Sequence, residues 1–492
     1  MLREIEKNFT FEDQKLKNKI ALWDYADDPL GQPRVLTYRQ LSFYNSSVAR
    51  KLLKLGYQPE DRIAIIGLNS YRFITTYLGT RLAGMTSVVI NHKLSKAQIE
   101  HVINHSEAKL VLHDPEFLDL LPESIDKISF ADFEKWVEYQ ETVYRYEHVG
   151  SRTTLMLYTS GSTGSPKCIS IKANSRQWAV KSLLAFPQTA RTIIAQPLSH
   201  INGLNAMESN LLNKSSVIIL PKFDVESYKH AIFNSNVSRV VAIPAMMAML
   251  LDDPENLKLM KAKANVRAVM LSGAPTSEGL FDKITAAFPE ATVRLTYGMS
   301  EIGPGIFGGH PSIPWRKMSV GCEREGIKYK LVDDVLFIKT PGLFDGYYKD
   351  ESKTNASYDE EGYFNTRDKF RVDEDGFYFF MGRADDMFVS GGENIYPGEV
   401  EDILNGHPSI LESCVIGLED DIKGTKAYAF VRTNGEFDEQ AIKDWYATQG
   451  PTYQIPRRIW AIDVFPLTFI SKVDKRQLEE MAKKLLAEQE TE

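Results

Sequence analysis

Short runs of β-branched and aliphatic residues recur at 62–66, 86–90, 109–112, 192–195, 216–220, 239–243, 267–271 and 292–296, separated by stretches with helical spacing. Strands that alternate with helices predict parallel sheets covered on both faces. In open sheets of that kind ligands bind at the carboxyl ends of the strands. Four loops, 159–167, 197–202, 272–275 and 297–301, fall at or just after predicted strand ends and are expected to converge on one crevice.

After about Val335 the texture turns β-rich, with tight acidic and glycine turns. Segments 369–372 and 377–380 flank Asp373-Glu374-Asp375-Gly376 and read as an antiparallel hairpin. The pattern then resets to helix 397–404, strands 413–418 and 426–431, helix 438–447, strand 458–462 and helix 475–488. That fits a compact α+β domain of about a hundred residues. The expected fold class is α/β. A large N-terminal domain, 1–384, has parallel sheets flanked by helices plus a β-rich subdomain, and a small mobile α+β C-terminal domain, 385–492, begins at Asp385.

At 492 residues the chain is too long for one core, which supports this division. Its 58 basic and 66 acidic residues give a net charge of −8, with no polybasic footprint, so neither nucleic acid nor an anionic membrane surface is an expected partner. The three cysteines, Cys168, Cys322 and Cys414, are far apart and have no zinc-like spacing, which fits a reducing, cytoplasmic setting. The first residues are charged, and no run of about eighteen apolar residues occurs, so neither export nor a membrane span is expected.

The densest chemistry lies at 155–167, where an apolar strand enters a small-residue, hydroxyl-rich loop that ends in a lysine. Gly161 and Gly164 let backbone N–H groups approach phosphate oxygens; Thr159, Ser160, Ser162 and Thr163 add hydroxyl donors, and Lys167 adds positive charge. A nucleotide polyphosphate suits such a loop. Pro166 and Cys168 flank the lysine where a Walker A loop has Gly and Ser or Thr, so a P-loop NTPase is not indicated. Alone, the segment reads equally as a Ser/Gly linker.

Further motifs follow in order: Tyr297-Gly298-Met299-Ser300-Glu301, Thr366-Arg367-Asp368, Gly382-Arg383-Ala384-Asp385-Asp386, and Ser390-Gly391-Gly392-Glu393-Asn394. Together with Pro466-Leu467-Thr468 and Lys472, the set resembles the adenylate-forming superfamily of acyl-CoA synthetases, adenylation domains and luciferases, over nearly the whole chain. Ser300 replaces the commoner threonine, while Cys168, Arg367 and Ser471 stand where relatives usually have glycine.

The resemblance implies activation of a carboxylic acid with ATP to an acyl-adenylate, then transfer to a thiol. It assigns the loop Thr159 to Lys167 to the β- and γ-phosphates, Glu301 to Mg²⁺ and Ser300 to the α-phosphate. It also places Tyr297 and Gly298 with Gly273 and Ala274 around adenine, Asp368 on the ribose hydroxyls, and Arg383 on the ribose or phosphate side. Lys472 would bridge the acid and the α-phosphate, His200 would lie beside the acyl carboxylate, and Gly391 and Gly392 would border a pantetheine tunnel. Taken one at a time, Asp368 is a turn residue, Tyr297 a core aromatic and Arg383 or Lys472 a solvated cation.

The expected activity is therefore that of an AMP-forming acid:CoA ligase with ATP, Mg²⁺ and CoA. Residues 390–397 look most like the CoA-ligase branch, and about twenty residues follow Lys472, too few to fold alone as a carrier. The alternative is a stand-alone adenylation enzyme that loads an acyl carrier protein. A non-catalytic binding protein is disfavoured because Lys472, Glu301 and Asp368 are all present; a luciferase-like monooxygenase has no supporting feature. Candidate acid-pocket residues, including Asn202, Leu204, Met246, Met249, Gly303 and Ile306, favour a hydrophobic acid, aryl or fatty.

Overall fold

Parallel pairing dominates two seven-stranded sheets in the computed structural model, which describes residues 16–144, 152–159, 166–390, 393–420, 424–435, 437–468 and 473–489. The first sheet runs Thr292–Leu295, Ala268–Leu271, Arg239–Ala242, Arg191–Ile194, Ser216–Ile219, Ile20–Asp24, Arg34–Thr37, with only the last pair antiparallel. The second runs Gly346–Tyr347, Lys167–Lys172, Thr153–Thr159, Thr86–Ile90, Arg62–Ile66, Leu110–His113, Asp126–Ser129. Its first two pairings are antiparallel.

The helix Tyr71–Leu82 is buried at every position except Arg72. A helix without a polar face belongs in a protein interior. One continuous core includes Ile63, Ile65 and Leu155 of the second sheet, Ile194 and Val217 of the first, and Phe73, Ile74 and Tyr77 of this helix. Each fully buried Ile, Leu or Phe there contributes about 1.5–3 kcal/mol.

A five-stranded antiparallel sheet, Gly321–Cys322, Phe377–Arg383, Phe364–Val372, Val335–Lys339, Lys328–Val332, carries the expected hairpin. Gly376 adopts φ +81° in its turn, a left-handed conformation that suits glycine. The fourth sheet comprises Glu393–Ile395, Phe388–Ser390, Gly424–Thr433 and Ile410–Asp420, with Ile459–Ala461 paired to Gly424–Thr433. Its alternation is period two. Val415, Ala429 and Val431 pack against Pro397–Asn405 and Glu439–Gln449, whereas Cys414, Ile416, Tyr428 and Phe430 pack against Lys475–Gln489.

The eight parallel strands expected from the pattern are all present, with ends shifted by a residue or so. Ile20–Asp24, Arg34–Thr37 and Lys167–Lys172 are strands that periodicity did not indicate. The last of these pairs antiparallel with Thr153–Thr159, with Thr159 opposite Lys167. No helix among the described residues is long and apolar enough to cross a membrane.

Candidate active site

Three of the four expected loops leave the first sheet at the carboxyl ends of its strands. His200 precedes the helix Ile201–Leu212 as its N-cap, and its Nδ1 accepts a hydrogen bond from the Asn202 N–H (3.4 Å). In the neutral ring this leaves the proton on Nε2. Gly273, at φ +85°, follows Ala268–Leu271, and a Cβ there would lie 2.9 Å from the Asn202 amide nitrogen. Ala274 beside it is exposed. The loops at 200 and 273 thus touch.

Tyr297 to Glu301 follow Thr292–Leu295. The loop folds back at once: Met299 bridges Gly303, and a Cβ on Gly298 would come within 2.7 Å of the Gly303 carbonyl. Gly303 (φ +76°) and Gly305 (φ +69°) hold this turn against Ala179 and Ser182. Both glycines thus serve the turn after Glu301. Ser300 lies within the loop, partly buried.

Two hydrogen bonds tie this loop to the other two sheets of the large unit. The Tyr297 hydroxyl donates to Asp368 Oδ2 (2.6 Å), and Asp368 Oδ1 lies 3.6 Å from Arg383 Nη1. The hairpin register sets Asp368 directly opposite Arg383, so residues distant in sequence share one end of the ladder. Asp368 is buried while Arg383 reaches solvent. Desolvation and the Asp368 charge push the Tyr297 phenol well above its ordinary value, which keeps it a donor. Its ring packs edge-on to Phe370 (4.9 Å) and parallel to Phe380 (6.4 Å).

The second link joins Glu301 to the hairpin of Thr159 and Lys167. Tyr347, paired with Ile169 on the edge of the second sheet, donates through its hydroxyl to Glu301 Oε1 (3.1 Å). Backbone N–H of Phe344 meets the Glu301 carbonyl (2.7 Å). Burial raises the Glu301 carboxyl above its usual range against the opposing pull of Tyr347 and Arg383. A desolvated carboxylate of this kind favours a cation. Sequence reasoning missed Tyr347, whose position depends on a two-residue edge strand, Gly346–Tyr347.

Ser160, Gly161, Ser162, Thr163, Gly164, Gly391, Gly392 and Lys472 lie outside the described residues. Of the acid-pocket candidates, Met246, Leu204 and Ile306 are core residues, and Met249 is 50% exposed. Among the described residues no group of three or more His, Cys, Asp or Glu side chains is placed to hold a metal.

The paired strand ends Thr159 and Lys167, a desolvated acid and a Tyr–Asp–Arg cluster, brought together from three sheets, suit a nucleotide-using enzyme. The chain belongs to the AMP-binding enzyme family, whose model matches residues 10–348; the AMP-binding enzyme C-terminal domain matches 399–472. A 2-succinylbenzoate–CoA ligase from Listeria monocytogenes is 28% identical over 449 residues, 90% of this chain and 94% of its own length. An anthranilate CoA ligase in complex with anthranoyl-AMP superimposes with a TM-score of 0.89 at 22% identity, covering 98% of each chain. The o-succinylbenzoate coenzyme A synthetase from Bacillus subtilis in complex with ATP and magnesium ion gives 0.81 at 24% identity, over 96% of this chain and 98% of that one. The two structural likenesses establish the fold: a large parallel-sheet N-terminal domain and a smaller C-terminal domain.

Proposed function

We propose that this enzyme is an AMP-forming acid:CoA ligase for a hydrophobic acid, with an aromatic acid favoured over a fatty one. The carboxylate oxygen of the acid attacks the α-phosphorus of ATP and pyrophosphate leaves. The CoA sulfur then attacks the acyl carbonyl and AMP leaves. The carrying observation is the pair of links, Tyr297 to Asp368 and Glu301 to Tyr347, that draws three sheets onto one crevice within a family match over most of the chain. The names of the relatives, both aryl-CoA ligases, support the acid class and the acceptor.

In this reading Asp368 accepts from the ribose hydroxyls, with Tyr297 holding its second oxygen in place. Arg383 neutralises charge at the ribose or phosphate side, Gly298, Gly273 and Ala274 line the adenine slot, and Ser300 donates to the α-phosphate. Thr159 to Lys167 grips the outer phosphates, and His200 orients the acid. Glu301 offers a buried hard-oxygen donor; Mg²⁺ is commonly held by one or two carboxylates together with substrate phosphates. Bound with ATP, that ion offsets phosphate charge. Residues 385–492 swing about Asp385, inserting Lys472 for adenylation and withdrawing it so that Gly391 and Gly392 border the CoA thiol. The setting is the cytoplasm.

Acid-dependent exchange of labelled pyrophosphate into ATP, screened over aryl and fatty acids, tests the first half-reaction. Exchange with aryl acids is expected. Exchange with none of them contradicts the reading. Formation of acyl-CoA, rather than an acylated carrier protein, decides the acceptor.

A further inference from the structure

A second ammonium group lies at the same edge of the second sheet as Lys167. Lys353 lies in the short helix Glu351–Ala356, and its N–H donates to the capping carboxylate of Asp350 (3.0 Å). Its Nζ sits 4.6 Å from the centroid of the Tyr347 ring, the same tyrosine that donates to Glu301. Tyr347 pairs with Ile169, two residues along the strand from Lys167, so the Lys353 ammonium lies near enough to Lys167 to feel its charge. Lys167 itself is the first residue of Lys167–Lys172, opposite Thr159 at the mouth of the loop. Two cations are thus delivered from different elements to the same sheet edge, beside the aromatic face of Tyr347, whose hydroxyl holds Glu301.

Like charges this close repel by about 1 kcal/mol even in water, and by more where the site is partly dry. Burial, then the Lys167 charge, lowers Lys353 to about 8. The fold gains nothing from that repulsion. A ligand with several negative charges, seated between the two groups, turns it into attraction for both. The terminal phosphates of a nucleoside triphosphate, and free pyrophosphate, carry such charge. The single phosphate of AMP, assigned above to Ser300, carries less charge and in this reading lies away from the pair.

We propose that Lys353 and Lys167 together form the seat for the β- and γ-phosphates of ATP and for the pyrophosphate product. The inference rests on the reading of the chain as an adenylate-forming ligase and adds a binding residue to it. An ammonium parked on Tyr347 for packing alone would leave phosphate affinity unaffected, which separates the two roles.

The test is calorimetric binding of magnesium pyrophosphate and of AMP to the full chain and to Lys353→Met and Lys353→Arg. Loss of one charge-assisted contact predicts pyrophosphate binding weakened about 10-fold or more in Lys353→Met, with AMP affinity unchanged and most of the loss recovered in Lys353→Arg. Unchanged pyrophosphate affinity in Lys353→Met, or an equal loss for AMP, overturns the proposal. Acid- and CoA-dependent AMP release by the unaltered enzyme is run alongside. If that release is normal while Lys353→Met binds pyrophosphate normally, only the Lys353 assignment falls. If the unaltered enzyme neither binds pyrophosphate nor releases AMP, both fall.

Discussion

At the scale of single residues, the account turns on groups that hold one another in place. Tyr297 donates to an Asp368 carboxylate that is buried and, in the proposed reading, also receives the ribose hydroxyls. In Tyr297→Phe that oxygen loses its donor, at a cost of about 1–3 kcal/mol, and aims less well. A rise in the KM for ATP of roughly 5- to 100-fold is expected in pyrophosphate exchange; an unchanged KM would show that Asp368 needs no orienting partner. Arg367 takes φ +60°, the conformation glycine adopts freely. The backbone there takes this left-handed shape despite the side chain. Arg367→Gly should fold normally, whereas Arg367→Val should lose about 1–2 kcal/mol in urea denaturation. That Asp368, Tyr297 and Glu301 belong to one site was legible only through motif order. Tyr347 and Lys353 were not, because an edge strand and a one-turn helix placed by non-local pairing leave no periodic trace.

At the scale of elements, the helices behind the crevice are locked by a buried ion cluster. Glu208, on Ile201–Leu212, accepts from Arg176 Nε (3.1 Å) and Nη2 (2.9 Å), on Ala173–Lys181, and from the Tyr77 hydroxyl of Tyr71–Leu82. Arg81 Nη1 lies 3.0 Å from the same carboxylate. Burial raises the Glu208 carboxyl, but the two arginines outweigh it and hold the group below its ordinary value. Stability from this group is therefore full above the unfolded carboxyl range and is lost as pH falls through the lower folded value. Arg176→Met should cost about 3–5 kcal/mol in urea unfolding, because a buried charge loses a partner. A cost under about 1 kcal/mol would mean that Arg81 alone suffices. The strands flanking these helices were readable because β-branched runs buried on both faces stand out. This cluster was not, since a helix buried all round shows no polar stripe to mark Glu208 as interior.

At the scale of the molecule, the two half-reactions are assigned to two placements of one small domain. Lys475, just past Lys472, pairs with Asp386 (2.9 Å), which sits in the turn Ala384–Asp386 that contains the proposed pivot. Burial opposes the charge on Lys475, but Glu401 and Asp386 raise it above the ordinary lysine range, so Lys475 stays charged. Lys472→Ala should depress adenylate formation far more than CoA transfer from a preformed acyl-adenylate; equal losses would sink the assignment. In the sequence, the smaller domain is expected from a reset of pattern near Asp385, and the β-rich subdomain of the larger one from a change of texture near Val335. How one domain docks on the other was not legible, since that depends on surfaces with no periodic signal.

The central claim is tested most directly by AMP release from the purified protein with ATP, Mg²⁺ and aryl or fatty acids, each with and without CoA. Release that requires both an acid and CoA, matched by acyl-CoA on mass spectrometry, is the predicted result. Acid-dependent pyrophosphate exchange with no effect of CoA would contradict it and point to a carrier-loading enzyme instead.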